Sequence, residues 1–198
     1  MELPNNLPPD FKISSKITTL NDGNIIFCGR TGGKDIMIIY DPNNNIIIEN
    51  IDICYGLYSY NLVELRCGDI LVYDQLDLTI YNRKKMNDEP LITCSSMCCR
   101  YEFMTTIKNV IEIDNGILLL TSDNPRNNIV CKSYIEYWDP TQLDEAGEPK
   151  LPLLIHTIDN DRVTKMERLN NDLIVLYSDN NTHLYSINIG EMIRLKNL

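Results

Sequence analysis

The sequence predicts an all-β chain in which one strand-rich unit is repeated four times. Apolar runs of four to seven residues, rich in Ile, Val, Leu, Thr and Tyr, are bounded by Gly, Pro, Asn and Asp, the residues that enter tight turns at low cost. No window of a dozen residues holds apolar side chains at i, i+3, i+4 and i+7 without a breaker, so helices are not expected. One phrase then recurs: a turn, an apolar strand, a loop, and a second strand ending in or near an aromatic. Its copies are DGNIIFCGRTGGKDIMIIYD from Asp22, CGDILVYDQLDLTIYN from Cys67, DNGILLLTSDN…SYIEYWD from Asp114, and NNDLIVLYSDNNTHLYSI from Asn170.

Each copy divides into four strands. In the first unit they are expected at 16–20, 24–29, 35–40 and 46–52, and in the second at 60–65, 69–74, 78–82 and 90–93. The third gives 107–113, 116–122, 133–139 and 153–158, and the fourth 163–169, 172–178, 182–187 and a weaker 192–195. The turn between the first two strands is Asn21-Asp22-Gly23, Arg66-Cys67-Gly68, Asp114-Asn115-Gly116 and Asn170-Asn171, residue types that reach positive φ at little expense. The second strand is almost wholly apolar in every copy (NIIFCG, DILVYD, GILLLTS, DLIVLYS), the pattern of a strand covered on both faces. The third strand is expected to alternate more, as one nearer a rim would. The best helical stretch is residues 141–146, inside an insertion.

A period of about 45 residues, stretching to about 56 at the third copy, with four strands per unit, points to blades of a β-propeller. The second strands of two copies are followed, one strand later, by an aromatic and an acid: Tyr40-Asp41 and Trp138-Asp139. Tyr81-Asn82 and Tyr185-Ser186 stand at the same place in the other two. With the turn glycines before three of the four apolar runs, this phrase resembles a degenerate WD-repeat blade over residues 16–195. The Gly-His pair of that family and its His–Ser/Thr–Trp hydrogen-bond set are absent. Tyr40-Asp41-Pro42 is also similar to part of a kelch blade, whose paired glycines are missing.

The expected organisation is an extension at 1–15, then blades at about 16–56, 57–100, 101–160 and 161–198. Four is a small number for WD-type rings, so closure is expected as a four-bladed ring or as half of a larger propeller completed by a second copy or another chain. An open array would leave apolar faces and strand edges exposed. Phe11-Lys12-Ile13 reads as an added strand able to pair with the last blade, a place for which residues 192–195 compete.

Composition limits the function classes. The chain is 43% hydrophobic and 23% charged, an ordinary globular balance, and its net charge is −10. Such a surface repels nucleic-acid phosphates and anionic membranes. The one basic cluster, Arg83-Lys84-Lys85, reads as a solvated hairpin turn. Residues 1–5 have no signal-peptide character, and no stretch approaches a membrane-spanning length. Seven cysteines (Cys28, Cys54, Cys67, Cys94, Cys98, Cys99, Cys131) are an odd number, several of them in or beside strands. They fit free thiols in a reducing, cytoplasmic setting. Cys94, Cys98 and Cys99 lack the second ligand pair that a zinc site usually provides, and no metal or cofactor is expected.

Little points to catalysis. His156 and His183 each sit alone in a strand-like run, and no nucleophile elbow occurs. Gly29-Arg30-Thr31-Gly32-Gly33-Lys34 joins two strands and lacks the spacing of a phosphate loop. Asp41, Asp74, Asp77, Asp123, Asp139 and Asp179 lie at strand ends and turns, where a carboxylate accepts backbone hydrogen bonds. The expected function is therefore a non-enzymatic scaffold that presents blade loops to a protein partner or a second copy. The alternative is a carbohydrate-active propeller with paired carboxylates. The candidate interaction residues are Arg30, Tyr58, Tyr101, Asn124, Arg126, Asp144 and Glu145, drawn from inter-strand loops, a tyrosine cluster at the unit junctions, and the two enlarged loops of the third unit.

Overall fold

The computed structural model describes residues 4, 7–53, 60–75, 77–83, 92–94, 105–114, 116–123, 132–147, 149–159, 163–169, 173–178 and 184–188. Every named element among them is a β-strand, and the strands fall into four sheets. The first sheet contains β1 (Lys12–Ile13), β2 (Thr18–Thr19), β3 (Ile25–Thr31), β4 (Lys34–Asp41) and β5 (Ile46–Ile53). The second contains β6 (Asn61–Glu64), β7 (Ile70–Tyr73), β8 (Leu78–Tyr81) and β9 (Ile92–Cys94). The third is β10 (Thr105–Ile113), β11 (Gly116–Asp123), β12 (Ser133–Trp138) and β13 (Leu153–Ile158). The fourth is β14 (Val163–Arg168), β15 (Leu173–Ser178) and β16 (Leu184–Asn188). In each, neighbours in space are neighbours in sequence, apart from β1 and β2, which both pair with β3.

Local chemistry sets these meanders. The first hairpin of the first two sheets is closed the same way: Leu20 N–H donates to Asn24 O at 2.8 Å and Leu65 N–H to Asp69 O at 2.8 Å. Gly23 and Gly68 occupy the left-handed position, at φ 87° and 89°, where a side chain would be strained. Leu169 N–H to Leu173 O, 2.9 Å, closes the fourth sheet's first hairpin in the same way. These bonds align the sheets residue by residue. Opposite Ile25, Ile70 and Ile117 stand Tyr40, Tyr81 and Trp138, all buried. In the fourth sheet Ile187 stands opposite Ile174, and Tyr185 opposite Leu176. Tyr185 therefore lies two residues before the position expected for the aromatic.

The first strand is irregular in three sheets. Register shifts fall between Ile107 and Asn109 and between Val163 and Lys165. In the first sheet, Ile13 faces Gly29 and Thr18 faces Ile26, so five steps along the edge match three along β3. The freed backbone group is satisfied locally: Cys28 N–H donates to Ser15 Oγ at 2.7 Å.

Two compact units result, residues 1–74 with 78–93 and residues 75–77 with 94–198. In the first unit the first two sheets pack face to face. Ile26, Cys28, Met37, Ile39, Ile51 and Ile53 meet Tyr60, Leu62, Ile70, Val72 and Tyr81. In the second unit Leu118, Leu120 and Ile135 of the third sheet meet Val163, Met166, Ile174 and Leu176 of the fourth. A polar link joins the first strands of each pair. Tyr60 N–H donates to Ser14 O at 3.3 Å in one unit, and Met166 N–H donates to Asn109 Oδ1 at 2.7 Å in the other. Burial inside the first unit pushes the Cys28 thiol well above its ordinary pKa, with Ser15 opposing, so it behaves as a small apolar residue.

Three further expectations differ from this structure. Lys12–Ile13 pairs with β3, not with the last unit, because Gly29 leaves a notch in which the Phe11 ring lies. Residues 141–146 form turns, not a helix, since Asp139 and Asp144 draw the nearby N–H groups into turn bonds. The third strands of the first three sheets are buried along nearly their whole length, and alternation appears one strand later, in β5. In those three sheets the third strand is internal and the fourth strand is the edge. Residues 192–195 lie outside the described residues.

Leu120→Ala, at a fully buried position of the second core, is expected to destabilise the protein by about 2–5 kcal/mol. Equilibrium urea unfolding measures it, and a change below about 1 kcal/mol would be inconsistent with this packing.

Candidate interaction surface

The outer loop of the third sheet, between β12 and β13, is held by an unusual density of hydrogen bonds. Asp139 opens it as a turn-forming carboxylate. Its Oδ1 accepts from Thr141 N–H at 3.0 Å and from the Thr141 hydroxyl at 2.6 Å, and its Oδ2 accepts from Gln142 Nε2 at 3.0 Å. Burial alone would raise this carboxyl, but the Thr141 and Gln142 donors outweigh it and hold it below the usual aspartate range. A second turn follows, in which Ala146 N–H donates to Asp144 Oδ1 at 2.8 Å and Gly147 N–H to Asp144 O at 3.1 Å. Leu143 and Pro149 form an antiparallel bridge, and Lys150 N–H donates to Gln142 O at 2.8 Å. The buried Trp138 indole anchors the return, donating from Nε1 to Lys150 O at 2.9 Å.

This tied-down loop displays apolar side chains. Leu143, Leu151 and Leu153 are 53%, 60% and 50% exposed, and Asp144 and Glu145 are exposed on the turn between them in sequence. An exposed leucine alone is ordinary. Leu143 and Leu151 stand on the loop with fixed backbone and Leu153 opens β13, so exposed apolar side chains lie on both sides of the acidic turn in sequence.

The first unit carries a second polar feature. Arg83 donates from Nη1 to Glu64 Oε1 at 3.3 Å and from Nη2 to Asp22 Oδ2, and Asn21 N–H donates to Glu64 Oε2 at 2.6 Å. Burial opposes ionisation of Asp22, but the Asn24 N–H and the Arg83 guanidinium hold its carboxyl below the usual range. Beside this latch lies an open depression of about 470 Å³ lined by Cys67, Gly68, Asp69, Asn82 and Arg83, where the exposed Cys67 thiol donates to Asp69 Oδ2 at 3.4 Å. No group of three or more His, Cys, Asp or Glu able to hold a metal occurs among the described residues.

Of the candidate residues, Asp144 and Glu145 lie on the loop just described, Asp144 with its side chain in a turn bond. Arg30 makes a two-pronged ion pair with the buried Asp35 across the β3–β4 hairpin, at 3.0 and 2.9 Å. Tyr58, Tyr101, Asn124 and Arg126 lie outside the described residues, as do Cys54, Cys98, Cys99, Cys131, His183 and Asp179. His156 is an exposed residue of β13. Asp41 spends its carboxylate as Asp139 does, accepting from Asn43 N–H at 2.8 Å and from Asn44 N–H at 3.3 Å. The three leucines went unselected in the sequence, where Leu153 reads as the first residue of a strand and Leu143 and Leu151 fall in the long loop from Pro140 to Pro152. No protein-family model and no curated protein matches the chain.

Trp138 is the one tryptophan of the chain, so its fluorescence reports on this loop. A carboxyl held low in the fold stabilises it above the unfolded pKa of about 3.9, and that contribution is lost as pH falls through the folded value. Tryptophan emission is expected to stay native-like through pH 4 and to shift red only below it. Asp139→Asn is expected to remove the part of this acid sensitivity that the loop contributes, and an unchanged titration would contradict the role of Asp139.

Proposed function

We propose that the protein is a non-enzymatic interaction module whose sheets are propeller-type blades of a WD-like kind, and that it presents the β12–β13 loop to a protein partner. One observation carries this reading: the loop backbone is fixed by hydrogen bonds from Asp139 to Lys150 while Leu143, Leu151 and Leu153 remain exposed. A surface ordered before binding loses little conformational entropy on contact, so its apolar area contributes more to affinity. Asp144 and Glu145 beside it, on a chain of net charge −10, favour a partner with an apolar anchor pocket flanked by Lys or Arg.

Other features are consistent with a binding role. Asp22, Asp41 and Asp139 have their oxygens engaged by turn donors or by Arg83. Sequential antiparallel meanders with largely buried second strands, packed in face-to-face pairs within each unit, are also what blades require.

A photo-crosslinking residue placed at Glu145 in cells is expected to capture a discrete partner. Leu143→Ser with Leu151→Ser is expected to abolish capture with a stability change within about 0.5 kcal/mol, as for ordinary surface substitutions. Reversing Asp144 and Glu145 to lysine is expected to weaken capture at low salt more than at high salt. Capture that survives the paired serine substitutions would overturn the reading.

A further inference from the structure

The ladders align one position in all four sheets. Thr19, Glu64, Glu112 and Arg168 each stand on a first strand, opposite the isoleucine that opens the second strand's apolar run: Ile25, Ile70, Ile117 and Ile174. Thr19, in the sheet that begins the series, is uncharged and exposed. The three sheets that follow another in the chain carry a charge there.

Within each compact unit, the charged residue of the later sheet reaches the first hairpin of the sheet before it. Glu64 accepts from Asn21 N–H at 2.6 Å through Oε2 and from Arg83 Nη1 at 3.3 Å through Oε1, and Arg83 Nη2 carries the contact on to Asp22. Arg168 donates from Nη1 to Glu112 O at 3.2 Å and from Nη2 to Asp114 Oδ1 at 2.9 Å. Both side chains are folded in, Glu64 at 9% and Arg168 at 15% exposure. The chemistry is inverted between the units. An acid takes up a turn N–H in one, and a base takes up a carbonyl and a carboxylate in the other. The start of the same strand is tied as well. Tyr60 N–H donates to Ser14 O at 3.3 Å, and Val163 N–H donates to the Ser133 hydroxyl at 3.0 Å. The first strand of each later sheet is therefore bonded to its predecessor near both ends.

We infer that the position held by Glu64 and Arg168 is a seating position, whose side chain recognises the first turn of the preceding sheet and selects the offset at which the two sheets stack. Apolar contact is non-directional. Facing Ile, Leu, Val and Met side chains such as Met37, Ile70, Leu118 and Leu176 bury similar area at several offsets. A hydrogen-bonded charge is satisfied at one of them. Ion pairs of this exposure add modest energy, so the position selects an arrangement more than it supplies stability. The opposite charges also make the two seats non-interchangeable, because an acid in place of Arg168 would meet the like charge of Asp114. This inference goes beyond the loop-binding reading and does not depend on it.

Amide hydrogen exchange on the full chain, read peptide by peptide, tests it. Arg168→Glu, which puts the first unit's charge opposite Asp114, is expected to speed exchange in β14 and β15 by about three- to tenfold. Adding Asp114→Arg restores opposite charges and is expected to recover part of that change, but not the bond to Glu112 O. Should Arg168→Glu alone fail to fold, the pair with Asp114→Arg is still expected to fold. In the first unit, Glu64→Leu is expected to speed exchange in β6 and β7 more than Glu64→Gln, whose amide oxygen can still accept from Asn21 N–H. Unchanged exchange in Arg168→Glu, a double variant no better protected than Arg168→Glu, or equal effects of Glu64→Leu and Glu64→Gln would each overturn the inference.

Discussion

The second strands β3, β7, β11 and β15 carry apolar side chains on both faces, and a strand of that kind is stable only if something apolar lies on each side of its sheet. Much else in the structure answers that demand. The first and second sheets cover one another through Ile26, Met37, Ile70 and Val72, and the third and fourth through Leu118, Leu120, Ile174 and Leu176. The back face of the first sheet is covered by Leu7 and Phe11. Polar contacts trim the stacking: Arg83 draws the first hairpin turn toward the second sheet, and Arg168 Nη2 reaches Asp114 at 2.9 Å in the other unit. Partly exposed ion pairs of this kind add little energy but fix how two sheets meet.

Most of this fold was legible in the sequence, because the signals were local and repeated. Runs such as Ile70–Tyr73 between turn residues leave few alternatives to a buried strand. Gly23 and Gly68 marked hairpins that the structure closes with the same hydrogen bonds. The errors came where a tertiary contact decided. Lys12–Ile13 has β-propensity but no sequence signal for its neighbour; the notch at Gly29 chose β3. Residues 141–146 include helix formers, yet Asp139 and Asp144 capture the N–H groups that a helix would use. The third strands were expected to alternate, but the position of a strand within its sheet decides its burial, and that position is non-local.

The candidate surface was only partly legible. The enlarged loop of the third unit singled out Asp144 and Glu145 by length and charge, while the exposure of Leu143, Leu151 and Leu153 follows from the Leu143–Pro149 bridge and the Trp138–Lys150 bond. A leucine in sequence reads as core, and only the backbone path shows that these point to solvent. The aromatic-acid pair Trp138-Asp139 has a physical role in this structure. The indole and the carboxylate grip opposite ends of one loop, so the dipeptide marks where the chain leaves the sheet.

The central claim is that the second strands, paired on both sides within their sheets and apolar on both faces, are the most protected backbone among the described residues. Native-state amide hydrogen exchange followed by mass spectrometry tests it most directly, since exchange from such strands requires large-scale opening. The account predicts the slowest exchange in peptides from Ile25–Thr31, Ile70–Tyr73, Gly116–Asp123 and Leu173–Ser178, with edge strand Ile46–Ile53 faster. Second strands that exchange as fast as the edge strands would contradict it.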